Sequence, residues 1–141
     1  MAGCSCGGDD KVTLIYACSG AANTGLLADQ VMRKLNRDKK GASTCLAAMG
    51  ADLSGFLESA KNAERNIVLD GCKVSCGAKI FEKHNIPYEH HIMTDYGIEK
   101  GKTVITEAII ENIAEQIGNN PCYDNNYKTI SIDNVNVRNF Q

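Results

Sequence analysis

Asn66-Ile-Val-Leu-Asp-Gly-Cys-Lys-Val-Ser-Cys76 carries the change of period that decides the fold. Asn66 to Asp70 is a short apolar run closed by a glycine, which predicts a buried strand. Val74, Ala78 and Phe81 then recur at helical spacing, and the helix they predict ends near Asn85, with Pro87 closing it off. Only Gly71-Cys72 separates strand from helix. A strand that turns so directly into a helix is the building unit of a parallel sheet, because the helix carries the chain back over one face of the sheet.

Upstream the same alternation appears. Val12 to Ala17 predicts a first strand, and a glycine-containing loop follows from Cys18 to Gly25. Thr24 is placed to cap a helix whose apolar residues are Leu26, Leu27, Val31 and Leu35. Asp29 lies early in it and Arg33, Lys34 and Arg37 late, the charge order that a helix dipole favours. Lys39-Lys40-Gly41 ends that helix. Ser43 to Met49 is small-residued and predicts one or two helical turns, and Leu53, Phe56, Leu57 and Ala60 predict the apolar stripe of a further helix. Downstream, Tyr88 to Met93 predicts a third strand. Thr103 to Ile117 predicts a last helix with Val104, Ala108, Ile109 and Ile113 inward and Gly118 at its end. The expected architecture is α/β: a three-layer Rossmann-like domain with a short parallel sheet of three to four strands and right-handed crossovers.

The length of 141 residues suits one domain with a core large enough to fold without metal or disulfides. Residues 1–11 read as a flexible Cys-containing N-terminal arm, 12–118 as the α/β domain, and 119–141 as an Asn-rich extension. Within the extension Ile130, Ile132, Val135 and Val137 alternate over Lys128–Val137, offering an edge strand or a face for a second subunit, hence a homodimer. The net charge of −2, with both signs interspersed, excludes the basic stripe of a nucleic-acid binder. No secretory signal pattern opens the chain. Its most apolar stretch, Val12 to Ala17, is far short of the roughly 20 residues of a membrane span, so neither membrane nor nucleic acid is an expected partner and a cytoplasmic location is expected.

Seven cysteines in a chain expected to meet a reducing compartment point to metal ligands or reactive thiols rather than to a disulfide framework. Cys18 ends the first strand, Cys72 lies just past the second, and Cys76 follows one helical turn later, on a face that Cys72 can share. The C-terminal ends of parallel strands lie along one edge, so these thiols are expected to converge there. Cys45 lies in the crossover between the two strands, in a segment able to return over the same edge. Four converging thiolates suit Zn(II) in a closed tetrahedral site, and the N-termini of the helices behind them offset part of the negative charge. The alternative is that these are small apolar residues packed near the core, as free cysteines often are.

Tyr16-Ala-Cys-Ser-Gly-Ala-Ala-Asn23, Ala28-Asp29, Cys45-Leu-Ala and Leu69-Asp-Gly-Cys72 with Cys76 closely resemble the DGC domain family, named for its central Asp-Gly-Cys. The resemblance covers about Val12 to Gly101, Thr94-Asp-Tyr-Gly-Ile-Glu-Lys100 resembling the family's closing segment. It implies zinc bound at four cysteines, which match Cys18, Cys45, Cys72 and Cys76 here, and it supplies no reaction.

Cys4 and Cys6 form a C-x-C pair suited to a soft metal, as an accessory site or as two idle thiols on the arm. Cys122 is expected to be packed or idle. Ser19, Gly20 and Asn23 lie in a loop that resembles an anion cradle in front of a helix. That loop lacks the Gly-Lys-Ser/Thr of a phosphate-binding loop, and Thr24 stands where a cysteine phosphatase needs Arg. Asp70 is expected either to accept hydrogen bonds from loop amides and orient Cys72, or simply to turn the chain before Gly71. His84, His90 and His91 lack ligand spacing from the cysteines, and two adjacent strand residues face opposite ways. Tyr96, Glu99 and Lys100 are expected on a polar loop at the same edge. The runner-up function is thiol-based redox or thiol transfer, using Cys18 as a nucleophile or Cys72 and Cys76 as a reversible pair.

Overall fold

The computed structural model describes residues 12–119 together with Tyr127–Lys128. Cys4, Cys6, Cys122 and most of the Lys128–Val137 alternation lie outside the described residues. Along the chain run β1 (Thr13–Ala17), α1 (Asn23–Arg37), β2 (Ala42–Ser43), α2 (Leu46–Gly50), α3 (Ser54–Asn62), β3 (Arg65–Asp70), α4 (Cys76–Lys83), β4 (Tyr88–Ile92), a 3₁₀ turn (Met93–Tyr96), α5 (Glu107–Gly118) and β5 (Tyr127–Lys128).

The sheet order is β2-β1-β3-β4-β5. The first four are mutually parallel, and β5 adds two antiparallel residues opposite Tyr88 and Glu89. From β1 the chain steps out to β2, then returns past β1 to β3. The strand order therefore reverses between β1 and β3, and loops leaving their C-terminal ends diverge there to leave a crevice.

Each face of the sheet carries its own core because strand side chains alternate. Ile15, Ala17, Ile67 and Leu69 face Leu27, Ala28, Val31 and Leu35 of α1 and Ile110, Ile113, Ala114 and Ile117 of α5. Tyr16 and Val68 face the other way, onto Leu46, Met49, Ala60, Ala78 and Phe81 of α2, α3 and α4. In that second layer the Tyr16 and Phe81 rings meet edge-to-face with centroids 4.9 Å apart, a geometry that aromatic quadrupoles favour. Three layers follow from strands that are apolar on both sides.

Local details depart from the periodicity. Leu26 is half exposed and Val104 is 77% exposed. Helix α5 starts only at Glu107, behind Thr106 as its cap, so Ile110 and Ala114 are inward and Ala108 is outward. Of the stripe expected on α3 only Ala60 is buried. Leu53 and Phe56 stay exposed, and Leu57 is only partly buried. Thr24 does not cap α1: Ala22 holds that position, and Thr24 is buried inside the first turn. Helix α4 begins at Cys76, and the preceding residues form a turn closed by Ser75 N–H donating to Cys72 O at 3.0 Å. The helical face on which Cys72 and Cys76 were to meet therefore does not exist. Val74, expected on it, is half exposed.

Candidate thiol and metal site

Cys18 leaves the end of β1 with its amide still in the ladder, donating to Leu69 O at 3.0 Å. Its sulfur accepts the Gly71 N–H at 3.2 Å. Ser19 adopts a left-handed backbone, φ 48°, and so swings the chain away from the strand direction. The loop then packs backbone against backbone. A Cβ on Gly71 would meet Gly25 N at 2.8 Å, and one on Gly25 would collide with Gly20 O. The glycine of Asp70-Gly71-Cys72 is thus fixed by the close approach of the β3 end to the start of α1.

Cys45 caps α2 after β2, and Cys76 is the first residue of α4. A cavity of about 630 Å³ opens at this sheet edge, and Cys18, Cys45 and Cys76 all line it. Met32, Leu46 and Ile80 supply apolar wall, while Ser19, Asp29 and Arg33 stand along its polar side. Cys45 and Cys76 are exposed and Cys18 is partly buried. Asp29 joins the polar side into one unit: it accepts from Ser19 Oγ at 3.1 Å and from Arg33 Nε at 2.7 Å. Asp29 holds the Arg33 guanidinium above its ordinary pKa by a hydrogen bond and by its charge. The spacing of Asp29 and Arg33, four residues apart on α1, was visible as helix charge order. Their place in the cavity needed the fold.

Cys72 is not in that lining. Its sulfur lies 3.5 Å from Lys100 Nζ, on the loop after the 3₁₀ turn. Asn23 fastens that loop to α1: its Nδ2 donates to Glu99 O at 3.1 Å and Thr103 O at 2.8 Å, and its Oδ1 accepts from Gly101 N–H at 2.7 Å. The side chains of Ser19 and Asn23 are thus engaged within the protein and are not offered to an anion.

Asp70 is fully buried and does bind amides, those of α4: its two oxygens accept from Gly77 N–H at 2.8 Å and Ala78 N–H at 3.0 Å. His90 Nε2 lies 2.8 Å from Asp70 Oδ2. His91 faces the opposite way, bonding Glu89 Oε1 at 2.6 Å and Tyr96 Oη at 2.7 Å. Arg65 Nε completes the chain by donating to Glu89 Oε2 at 2.7 Å. A ring protonated at Nε2 donates to Glu89 and accepts from Tyr96, whose hydroxyl is pushed up to about 12 by burial and by the Glu89 and Asp95 charges. These histidines are therefore buried structural pairs, and neither lines the thiol cavity.

The donors fit a thiophilic ion in kind, since sulfur ligands select such metals. In the arrangement described, no three His, Cys, Asp or Glu side chains among the described residues are grouped closely enough to hold an ion. Among the described residues, no helix is long and apolar enough to cross a membrane.

Residues 14–117 match the family model described as the DGC domain. The anaerobic and virulence modulator AnvM of Pseudomonas aeruginosa is 30% identical over 93 residues, a stretch covering 65% of this chain and 71% of that protein. No solved structure matches.

Proposed function

The chain belongs to the DGC domain family, and on that premise we propose that it binds a thiophilic metal, Zn(II) first, through Cys18, Cys45 and Cys76, with Cys72 turning in from Lys100 as fourth ligand. One observation carries this reading: thiols from three separate elements line one cavity at the topological switch point of the sheet. The chain between β1 and β3 brings Cys45 to that cavity from a distant crossover, which a packing role for a small apolar residue does not require. Two of the three thiols are exposed. A metal held there exchanges more readily than one sealed in a core, so sensing or delivery suits the site better than a structural role. The name of the relative, a modulator, agrees with sensing.

Four thiolates leave zinc no open position, and zinc–water hydrolysis is disfavoured; three leave one. Elemental analysis of protein purified without chelator, with thiols counted before and after metal removal, tests the reading. One zinc per chain with four thiols released on removal supports it, and loss of zinc from Cys45→Ser places Cys45 among the ligands. The thiol-transfer reading is favoured by one fact, that Cys72 sits beside an ammonium rather than in the cavity. Absence of metal, together with ready oxidation of Cys72 and Cys76 to a disulfide, would replace the metal reading with that one.

A further inference from the structure

We infer that Asp70 and His90 are positioning residues for the Cys76 thiol, acting through the first turn of α4. This helix lacks any local side-chain cap. Its N-cap, Ser75, stands in a left-handed conformation at φ 55° and ψ 47°, and its hydroxyl does not cap the helix amides. The first amides of a helix nevertheless need acceptors. Asp70 provides them from the end of β3, reaching Gly77 N–H and Ala78 N–H with one oxygen each. Since Cys76 directly precedes these two residues, its Cα is placed by a carboxylate on the neighbouring strand, and the cavity wall is built around that placement.

His90 fixes the carboxylate in turn. It comes from β4, where it stands opposite Val68 in the ladder, and its side chain is only 7% exposed. Its ring packs against buried Tyr88 with centroids 5.8 Å apart. From there Nε2 bonds Asp70 Oδ2 at 2.8 Å, so the same oxygen that holds Ala78 is locked against rotation. Gly77 allows the close approach: a Cβ there would meet Val68 Cγ1 at 2.7 Å and Asp70 Oδ1 at 3.0 Å. The chain of contacts therefore runs from Tyr88 through His90 and Asp70 to the start of α4 and Cys76. The Asp-Gly-Cys triplet thus serves two thiols: Gly71 donates to Cys18, and Asp70 seats Cys76. Groups that orient metal ligands from behind have effects of about 10- to 100-fold on metal affinity.

The inference rests on the metal reading for one readout only, and a second readout is independent of it. His90→Phe keeps the ring against Tyr88 and removes the donor, whereas His90→Gln keeps a donor. Zinc affinity is expected to fall about 10-fold or more in His90→Phe and to return to within about threefold of the parent in His90→Gln. In metal-free protein, the iodoacetamide alkylation rate of Cys76, measured against Cys45 in the same molecule, is expected to drop about threefold in His90→Phe. The cause is that a loosened first turn no longer holds the Cys76 thiol at its exposed place in the cavity wall. It is expected to recover in His90→Gln. An unchanged Cys76-to-Cys45 ratio in His90→Phe overturns the inference, as does an equal change in both variants, which would show generic loss of packing. If His90→Phe does not fold, Asp70→Asn, which loses one acceptor, is put to the same ratio with the same two outcomes. Should the parent bind no zinc, the metal reading fails while the alkylation ratio still decides this inference.

Discussion

At Gly71 the constraint is steric and local. A methyl group there would meet Gly25 N and Thr24 C at 2.8 Å, and neither is a side chain that can turn aside. Gly71→Ala is expected to destabilise the protein by about 1–3 kcal/mol, the usual cost of overpacking, and to move Cys18 from its amide donor. Thermal unfolding measures the first effect, and the alkylation rate of Cys18 the second. Glu89 offers a separate test at this scale. Burial alone would raise its pKa, but hydrogen bonds from His91 and Arg65 and the Arg65 charge outweigh burial and hold it below the ordinary glutamate value. A carboxylate with a depressed folded pKa contributes stability above its unfolded value, and that contribution is lost as pH falls through the folded value. The parent protein is therefore expected to lose stability from about pH 4.5 downward, and Glu89→Gln to flatten that acid limb while being less stable at pH 7. Denaturant midpoints measured from pH 7 to pH 3 would show it; parallel curves for the two proteins would contradict the assignment.

Between elements, Asn23 joins the start of α1 to the loop bearing Lys100 through three hydrogen bonds. Asn23→Ala leaves the Gly101 amide and two carbonyls without their partner. A loss of about 1–3 kcal/mol is expected for such a set, concentrated in the loop. Amide hydrogen exchange of residues 99–103 is expected to accelerate while β1 and β3, in the centre of the sheet, keep their protection. Equal acceleration in both would mean that Asn23 holds the whole domain and not the loop. At the other side of the crevice, α4 is capped from β3 and α2 starts from Cys45. The thiol-bearing positions are thus set by contacts between elements, which explains how short helices of low intrinsic stability present fixed side chains.

For the whole molecule, the two cores stabilise the sheet from both faces and leave the C-terminal edge free to carry chemistry. A ligand that binds only the folded protein adds stability in proportion to its saturation. Zinc at 100 times its dissociation constant is expected to add about 2.7 kcal/mol, which for a domain of this size raises the unfolding midpoint by roughly 10 °C. A chelator should reverse the gain, and Cys18→Ser or Cys76→Ser should abolish it. A midpoint indifferent to zinc in the parent protein counts against the metal reading.

Much of this was legible in one dimension. Short apolar runs that end in glycine, alternating with 3.6-period segments, dictate a parallel α/β sheet, because each pattern has one way to bury its apolar atoms. The same alternation put Cys18 and Cys72 at strand ends, and the Asp-Gly-Cys triplet and its companions carried the family. What the sequence could not determine was direction. Whether residues 72–75 extend the next helix or form a turn depends on where α4 finds acceptors for its first amides, and these lie on Asp70, whose orientation His90 sets from another strand. Spacing in sequence therefore pairs Cys72 with Cys76, whereas packing puts Cys76 in the lining of the cavity that Cys18 and Cys45 also line and leaves Cys72 with Lys100. The buried faces of α3 and α5 differ from their apolar stripes for the same reason: periodicity gives a stripe, and only the neighbouring elements decide which part of it is covered.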